Sequence, residues 1–201
     1  MQLDHIAIAG ETLEAAVAHV EEALGVPLLP GGKHVHFGTH NQLLGLADGL
    51  YLEAIAIDPS APALDYPRWF DLDRFEGKPR LNNWICRSDD LEAELARLPK
   101  GAGRPVALQR GDLRWRMAVP ETGILPLSGS FPALIQWDVD VLPGDILPAS
   151  GVRLQRLEVA HQEALWLREV LGLADPRVQF VPGDAALRAT FDTPHGLREL
   201  R

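Results

Sequence analysis

Cys86 is the only cysteine in 201 residues, which excludes both an intramolecular disulfide and a thiolate zinc cluster. Its expected place is a small buried position in a strand. No apolar run approaches the roughly 20 residues that a membrane-spanning helix needs. The longest, Gln42 to Ala47 and Leu50 to Ile57, are broken by Asp, Glu or Gly. Basic residues are scarce. Nineteen Lys and Arg against 28 Asp and Glu leave a formal net charge of -9 and an isoelectric point near 5.2. That balance argues against the clustered basic face of a nucleic-acid binder and points to a small-molecule partner. The basic start and long apolar middle of a secretory signal are also missing from the opening residues, so the expected location is the cytoplasm. There is no low-complexity tract and no flexible linker; Leu142 to Gly151 is the best internal boundary.

What is present is a core-forming composition, 46% hydrophobic, arranged in a pattern that occurs three times at intervals of about 70 to 80 residues, longer than solenoid repeats. Each copy opens on a short apolar strand: Leu3 to Ala9, Asn82 to Arg87, and Val152 to Val159. A helix follows each. In the first, Leu13, Ala16, Val17, Val20 and Leu24 recur on one face and Gly25 stands at the stop. In the second, Ser88 is the expected N-cap, Leu91, Leu95 and Leu98 share a face, and Pro99 and Gly101 end it. The third runs through Ala164, Leu167, Val170 and Leu171 to Gly172.

Short strand patterns punctuated by turns come next. The turns are Pro30-Gly31-Gly32, Asp48-Gly49, Arg110-Gly111-Asp112 and Pro182-Gly183-Asp184. The strands are Thr39 to Ala47, Leu50 to Ile57, Leu113 to Val119, Ala133 to Val139, Val178 to Val181 and Leu187 to Phe191. The expected fold is therefore α+β, built from repeated β-α-β-β-β modules with curved, largely antiparallel sheets. Residues 1–141 hold two paired modules, about 1–60 and 80–141, and residues 152–201 hold a partial third β-α-β-β module with room for only a truncated last strand. The proline- and aromatic-rich segments Asp58 to Pro79 and Pro120 to Pro132 read as ordered loops over the sheets.

The polar residues inside strands carry the chemistry. Glu53 sits in Tyr51-Leu52-Glu53-Ala54-Ile55, where an ionised carboxylate needs a cation, a hydrogen-bond donor or an exposed face. His5 lies in the first strand, and His40 lies in Gly38-Thr39-His40-Asn41. Two histidines and a carboxylate suffice for a metal site with open positions, although hydrogen bonds alone also account for each histidine. His34 and His36 lie near the Gly-Gly turn and read as surface residues; His19, His161 and His195 receive no role. Arg114 and Arg116 point to one face of a strand, either to hold a substrate anion or to pair with surface acids. Trp69, Phe70, Trp84, Trp115 and Trp137 either line an apolar pocket or fill the core.

Leu3-Asp4-His5-Ile6-Ala7-Ile8, Gly38-Thr39-His40-Asn41, Asp48-Gly49 with Tyr51-Leu52-Glu53, Leu113-Arg114-Trp115-Arg116 and Pro132-Ala133-Leu134-Ile135 together resemble the glyoxalase-like domain family of the vicinal-oxygen-chelate superfamily. The resemblance covers roughly the first 140 residues. It implies paired modules curled into a cup around a metal or ligand, with metal ligands from the first and last strands of each module. His5 and Glu53 match the module-one positions. In module two the corresponding places read as Trp84, which cannot ligate, and Gln136, whose carbonyl oxygen can.

The implied ligand set is His5, His40, Glu53 and Gln136 around a divalent Zn, Ni, Mn or Fe, with Glu53 catalytic and Arg114, Arg116, Trp84, Trp115 and Trp137 around the substrate. The implied function is a metal-dependent lyase, isomerase or dioxygenase-type enzyme on a small oxygen-bearing substrate. The alternative is a metal-free protein that sequesters a small molecule in the same cup, as resistance proteins of the superfamily do. A homodimer is also implied.

Overall fold

The computed structural model describes residues 1–98 and 101–201. Module one runs β1 (Gln2–Ala9), α1 (Leu13–Leu24), β2 (Leu29–His34), β3 (Thr39–Gly45) and β4 (Tyr51–Ile57). Module two runs β5 (Arg80–Arg87), α2 (Leu91–Arg97), β6 (Arg104–Arg110), β7 (Leu113–Val119) and β8 (Ala133–Trp137). The expected α+β modules are therefore present, and β2 and β6 are strands that the sequence pattern did not reveal.

Helix α1 has the buried stripe and glycine stop expected from the sequence, and an N-cap that was not among the expectations. Thr12 caps it by accepting from the Ala15 amide at 3.1 Å, and Gly25 ends it in the left-handed region at φ 73°. Leu13, Ala16, Val20 and Leu24 are its buried stripe. Each leucine buried there stabilises by about 1.5–3 kcal/mol before entropy is counted. In α2 the N-cap is Asp90, which accepts from the Ala93 amide at 2.9 Å, rather than Ser88. Ser88 instead accepts from the Asp90 amide and holds the entering turn. Pro99, read as part of the stop signal, lies outside the described residues.

The two modules make one eight-stranded sheet ordered β2-β3-β4-β1-β5-β8-β7-β6. Each module's first strand lies parallel to its last, β1 with β4 and β5 with β8. The modules join through the antiparallel pair β1 and β5. The order is thus a palindrome about that central pair. Strands β2 and β6 are at opposite ends of the order, yet Arg110 of β6 reaches His34 of β2 at 3.2 Å. The sheet curls until its two edges meet, and the concave face becomes the inside of a cup.

A second sheet follows the one-turn helix α3 (Pro143–Ile146). It contains β9 (Arg153–Ala160), β10 (Val178–Val181), β11 (Ala186–Thr193) and β12 (Gly196–Leu200), with α4 (Ala164–Leu171) between β9 and β10. The expected β-α-β-β unit closes on a further short strand, β12. Its order is β10-β9-β11-β12, so the first strand pairs parallel with the second, not with the last as in the first two modules.

Strand alternation separates two cores. Ile6, Ile8, Leu52, Ala54, Trp84, Cys86 and Leu134 face the helices and the second sheet, where they join Leu157, Val159, Phe191 and Leu200. Cys86 is fully buried as expected. Ala7, Ala9, Ile55, Ile85, Met117, Ala133 and Ile135 face the cup, which the two loops fill with Trp69, Phe70, Leu72 and Leu125.

Candidate functional site

The floor of the cup is set by a bulge in β1. Leu3 pairs with Cys86 and His5 with Ile85, leaving Asp4 as one extra residue between them. Leu3 therefore packs in the outer core while His5 turns into the cup. Asp4, only 1% exposed, accepts from His5 Nδ1 at 2.6 Å and from Trp137 Nε1 at 3.1 Å. The Arg87 guanidinium lies 3.5 Å away. Burial pushes the Asp4 carboxyl up, but the hydrogen bonds from His5 and Trp137 and the charges of His5 and Arg87 outweigh it and hold the group below its ordinary value. An ionised Asp4 fixes the proton of His5 on Nδ1. It thereby leaves Nε2 turned to the cup, 3.7 Å from Glu53 Oε2. Tyr51 stacks on the His5 ring at 4.3 Å and holds its plane.

Glu53 has the hydrogen-bond donor that a carboxylate in an apolar strand requires. It is 5% exposed, and Asn41 Nδ2 donates to its Oε1 at 2.6 Å. Asn41 is a hub. Its Oδ1 accepts from the Gly32 amide at 2.8 Å and from Arg110 at 3.1 Å. Arg110 also donates to His34 Nε2 at 3.2 Å, so His34 must carry its proton on Nδ1, which meets Thr39 Oγ1 at 3.0 Å. Burial, then the charges of Arg110, His5 and His40, push His34 down to about 3 and keep it neutral.

Trp69, Phe70, Trp115 and Trp137 wall the cup, and the space left inside is about 30 Å³. That is room for one or two waters. The Trp69 ring stacks on Phe37 at 4.5 Å and on Phe70 at 5.0 Å. Its buried indole nitrogen has no hydrogen-bond partner among the described residues.

His5 and Glu53 come together in the cup, and Trp115 and Trp137 lie in its wall. The others lie elsewhere because alternate residues of a strand face opposite ways. His40 pairs with Ala56 and Gln136 with Arg116, both on the outer face. Gln136 Oε1 there accepts from the Leu91 amide at the start of α2. Trp84 is fully buried in the outer core and donates to the Ser130 carbonyl. Arg114 is exposed on the outside, and Arg116 forks onto Asp138 at 3.3 Å. The places in module two that correspond to His5 and Glu53 are Ile85 and Ile135. Ile85 pairs with His5 itself, and Ile135 lies two residues past Ala133, as Glu53 lies two past Tyr51. His34, read from the sequence as a surface residue, is buried; Arg110 received no role because Arg110-Gly111-Asp112 read as a turn, and Asn41 received none because His40 beside it in Gly38-Thr39-His40-Asn41 was the residue singled out.

This donor set does not fit the implied four-ligand metal. Two of its members face outward, and the matching positions in module two are aliphatic. The free nitrogen of His34 is engaged by a guanidinium. No three His, Cys, Asp or Glu side chains among the described residues come together to hold an ion.

The palindromic sheet, the cup and the paired modules define a protein of the vicinal-oxygen-chelate class. Residues 3–171 match the family model described as a glyoxalase-like domain, and the chain belongs to that family. A hypothetical protein from Staphylococcus aureus shares the fold at 16% identity, with 84% of this chain and 72% of that chain covered and a TM-score of 0.58. Methylmalonyl-CoA epimerase from Mycobacterium tuberculosis aligns at 22% identity over 67% of this chain and 85% of that one, with a TM-score of 0.43. A variant of Streptomyces coelicolor methylmalonyl-CoA epimerase in complex with 2-nitronate-propionyl-CoA aligns at 16% identity over 68% and 97%, with a TM-score of 0.44. No curated protein matches the chain.

Proposed function

We propose that the chain is an enzyme of the lyase or isomerase kind that moves a proton on a small oxygen-bearing substrate in the cup, using its own side chains. The observation that carries this reading is the Asp4–His5 pair, with the Nδ1 contact at 2.6 Å and Nε2 left open opposite Glu53. A buried carboxylate that fixes the tautomer of a histidine prepares its other nitrogen as a base. Nε2 takes a proton from the carbon next to a substrate carbonyl; the C–H electron pair forms the new C=C bond as the carbonyl π pair moves onto oxygen, giving an enolate. The imidazolium so formed lies 3.7 Å from the Glu53 carboxylate, which stabilises its charge until Nε2 returns the proton to the enolate at carbon or at the neighbouring oxygen. No step passes through a metal, because the donors present do not assemble a site for one.

The test is exchange of methyl protons for deuterium in enolisable carbonyl compounds, pyruvate and hydroxyacetone among them, followed by NMR in D₂O. Exchange is expected to survive chelation and to fall by about 10²-fold or more in His5→Gln. Exchange that requires added Zn, Ni, Mn or Fe would return the function to the metal-dependent reading. The filling of the cup by Trp69 and Phe70 favours a second reading, metal-free sequestration of a small molecule. Tight binding with no exchange in any variant would support it.

A further inference from the structure

Arg110 is the cation the cup does not neutralise. Its guanidinium is half-buried, and a single nitrogen, NH1, makes both of its hydrogen bonds, to His34 and Asn41. Both partners are neutral side chains. Among the described residues Arg110 forms no ion pair, and its remaining nitrogens have no partner. Trp69 offers a second idle donor in the same space: its indole nitrogen is buried and unpaired, and the residue is 4% exposed. A buried donor left without an acceptor costs on the order of 1–3 kcal/mol. That cost applies to Trp69; Arg110, half-buried, lacks instead an anion for its charge, and both residues line one cavity of about 30 Å³, where the oxygens of an anionic group in place of water would serve both.

The backbone is shaped to admit this arginine. A Cβ on Gly32 would stand 2.7 Å from Arg110 Cδ, and one on Gly31 would stand 2.1 Å from Asn41 Oδ1. Both glycines of the β2 edge therefore leave room for the side chains that cross it from β6 and β3.

We infer that the cup recognises a carboxylate on its small-molecule ligand, with Arg110 supplying the charge and Trp69 Nε1–H a hydrogen bond. A guanidinium fork and an aromatic N–H suit a planar carboxylate better than a neutral hydroxyl or amide. Taken with the proton-transfer reading above, on which this rests, the substrate class is a small 2-oxo or similarly enolisable acid.

The probes are pyruvate and its neutral counterpart hydroxyacetone, titrated into ¹⁵N-labelled protein while the indole N–H signals are followed, with that of Trp69 assigned from Trp69→Phe. Pyruvate is expected to saturate and to move the Trp69 signal, with hydroxyacetone binding at least about tenfold more weakly. Arg110→Gln is expected to remove most of that preference. Gly32→Ala, which keeps Arg110 but pushes its stem aside, should weaken pyruvate in the same direction, so a folded variant is at hand if Arg110→Gln unfolds. Equal binding of the two probes, or pyruvate binding unchanged in both variants, would overturn the inference. Pyruvate binding that depends on Arg110 with no deuterium exchange keeps the carboxylate site and removes the proton-transfer reading. Exchange that runs equally on hydroxyacetone and in Arg110→Gln keeps proton transfer and removes the carboxylate site.

Discussion

At the residue scale, the site is a chain of hydrogen bonds in which each protonation state is set by its neighbour. His34 is the member whose state can be read from stability. Arg110 donates to its Nε2, and burial with that charge lowers the group from 6.5 to about 3. An unfolded His34 takes a proton below about pH 6.5, whereas the folded one stays neutral until about pH 3. Folding stability should therefore fall as the pH is lowered through that window, by up to ~1.4 kcal/mol per pH unit. The depressed carboxylates, Asp4 among them, lose their contribution only below their ordinary value of 3.8, so the interval from pH 6.5 to 5 reports on His34. Urea unfolding of the parent and of His34→Asn at pH 7, 6 and 5 checks this. Equal slopes in the two proteins would remove His34 as the cause.

At the scale of the element, the sequence was legible where one face of a helix or strand is buried against a continuous core. The stripe of α1 and its Gly25 stop were readable, since each is a local property. Strand β2 was not. Pro30-Gly31-Gly32 carries the residues of a turn, yet it lies in an edge strand, where a proline costs no ladder bond and the two glycines make room for Asn41 and Arg110. Its register shift between Pro30 and Lys33 marks the same adjustment. Gly31→Ala is expected to displace Asn41 and leave Glu53 without its 2.6 Å donor. The cost should be about 1.5–3 kcal/mol, the range for a hydrogen bond to a charged group, against a few tenths for Gly77→Ala beyond the left-handed strain at that site. Thermal unfolding of the two variants measures the difference, and equal losses would mean that the Gly31 position does not support the site.

At the scale of the whole molecule, one chain closes the cup by itself, so a second copy is not needed to build it. The second sheet is not separable either, since Leu154, Leu157, Phe191 and Leu200 share a core with Ile6, Ile8 and Trp84, and Phe180 lies 6.0 Å from the Trp84 ring. A chain ended at residue 150 is expected to lose cooperative unfolding and to bind an exposed-core dye, whereas a folded, cooperative fragment would make residues 152–201 an accessory. By itself the sequence determined the α+β class, the module starts, α1, and the need of Glu53 for a partner, because hydrophobic period, capping and the cost of a buried charge act within a few residues. Only the tertiary structure decided which face each strand residue takes. One extra residue at Asp4 turns His5 inward, and sheet parity turns His40, Gln136 and Arg116 outward. The curl of the sheet brings Arg110 of one edge onto His34 of the other, 76 residues apart in the chain, a contact that no local pattern encodes.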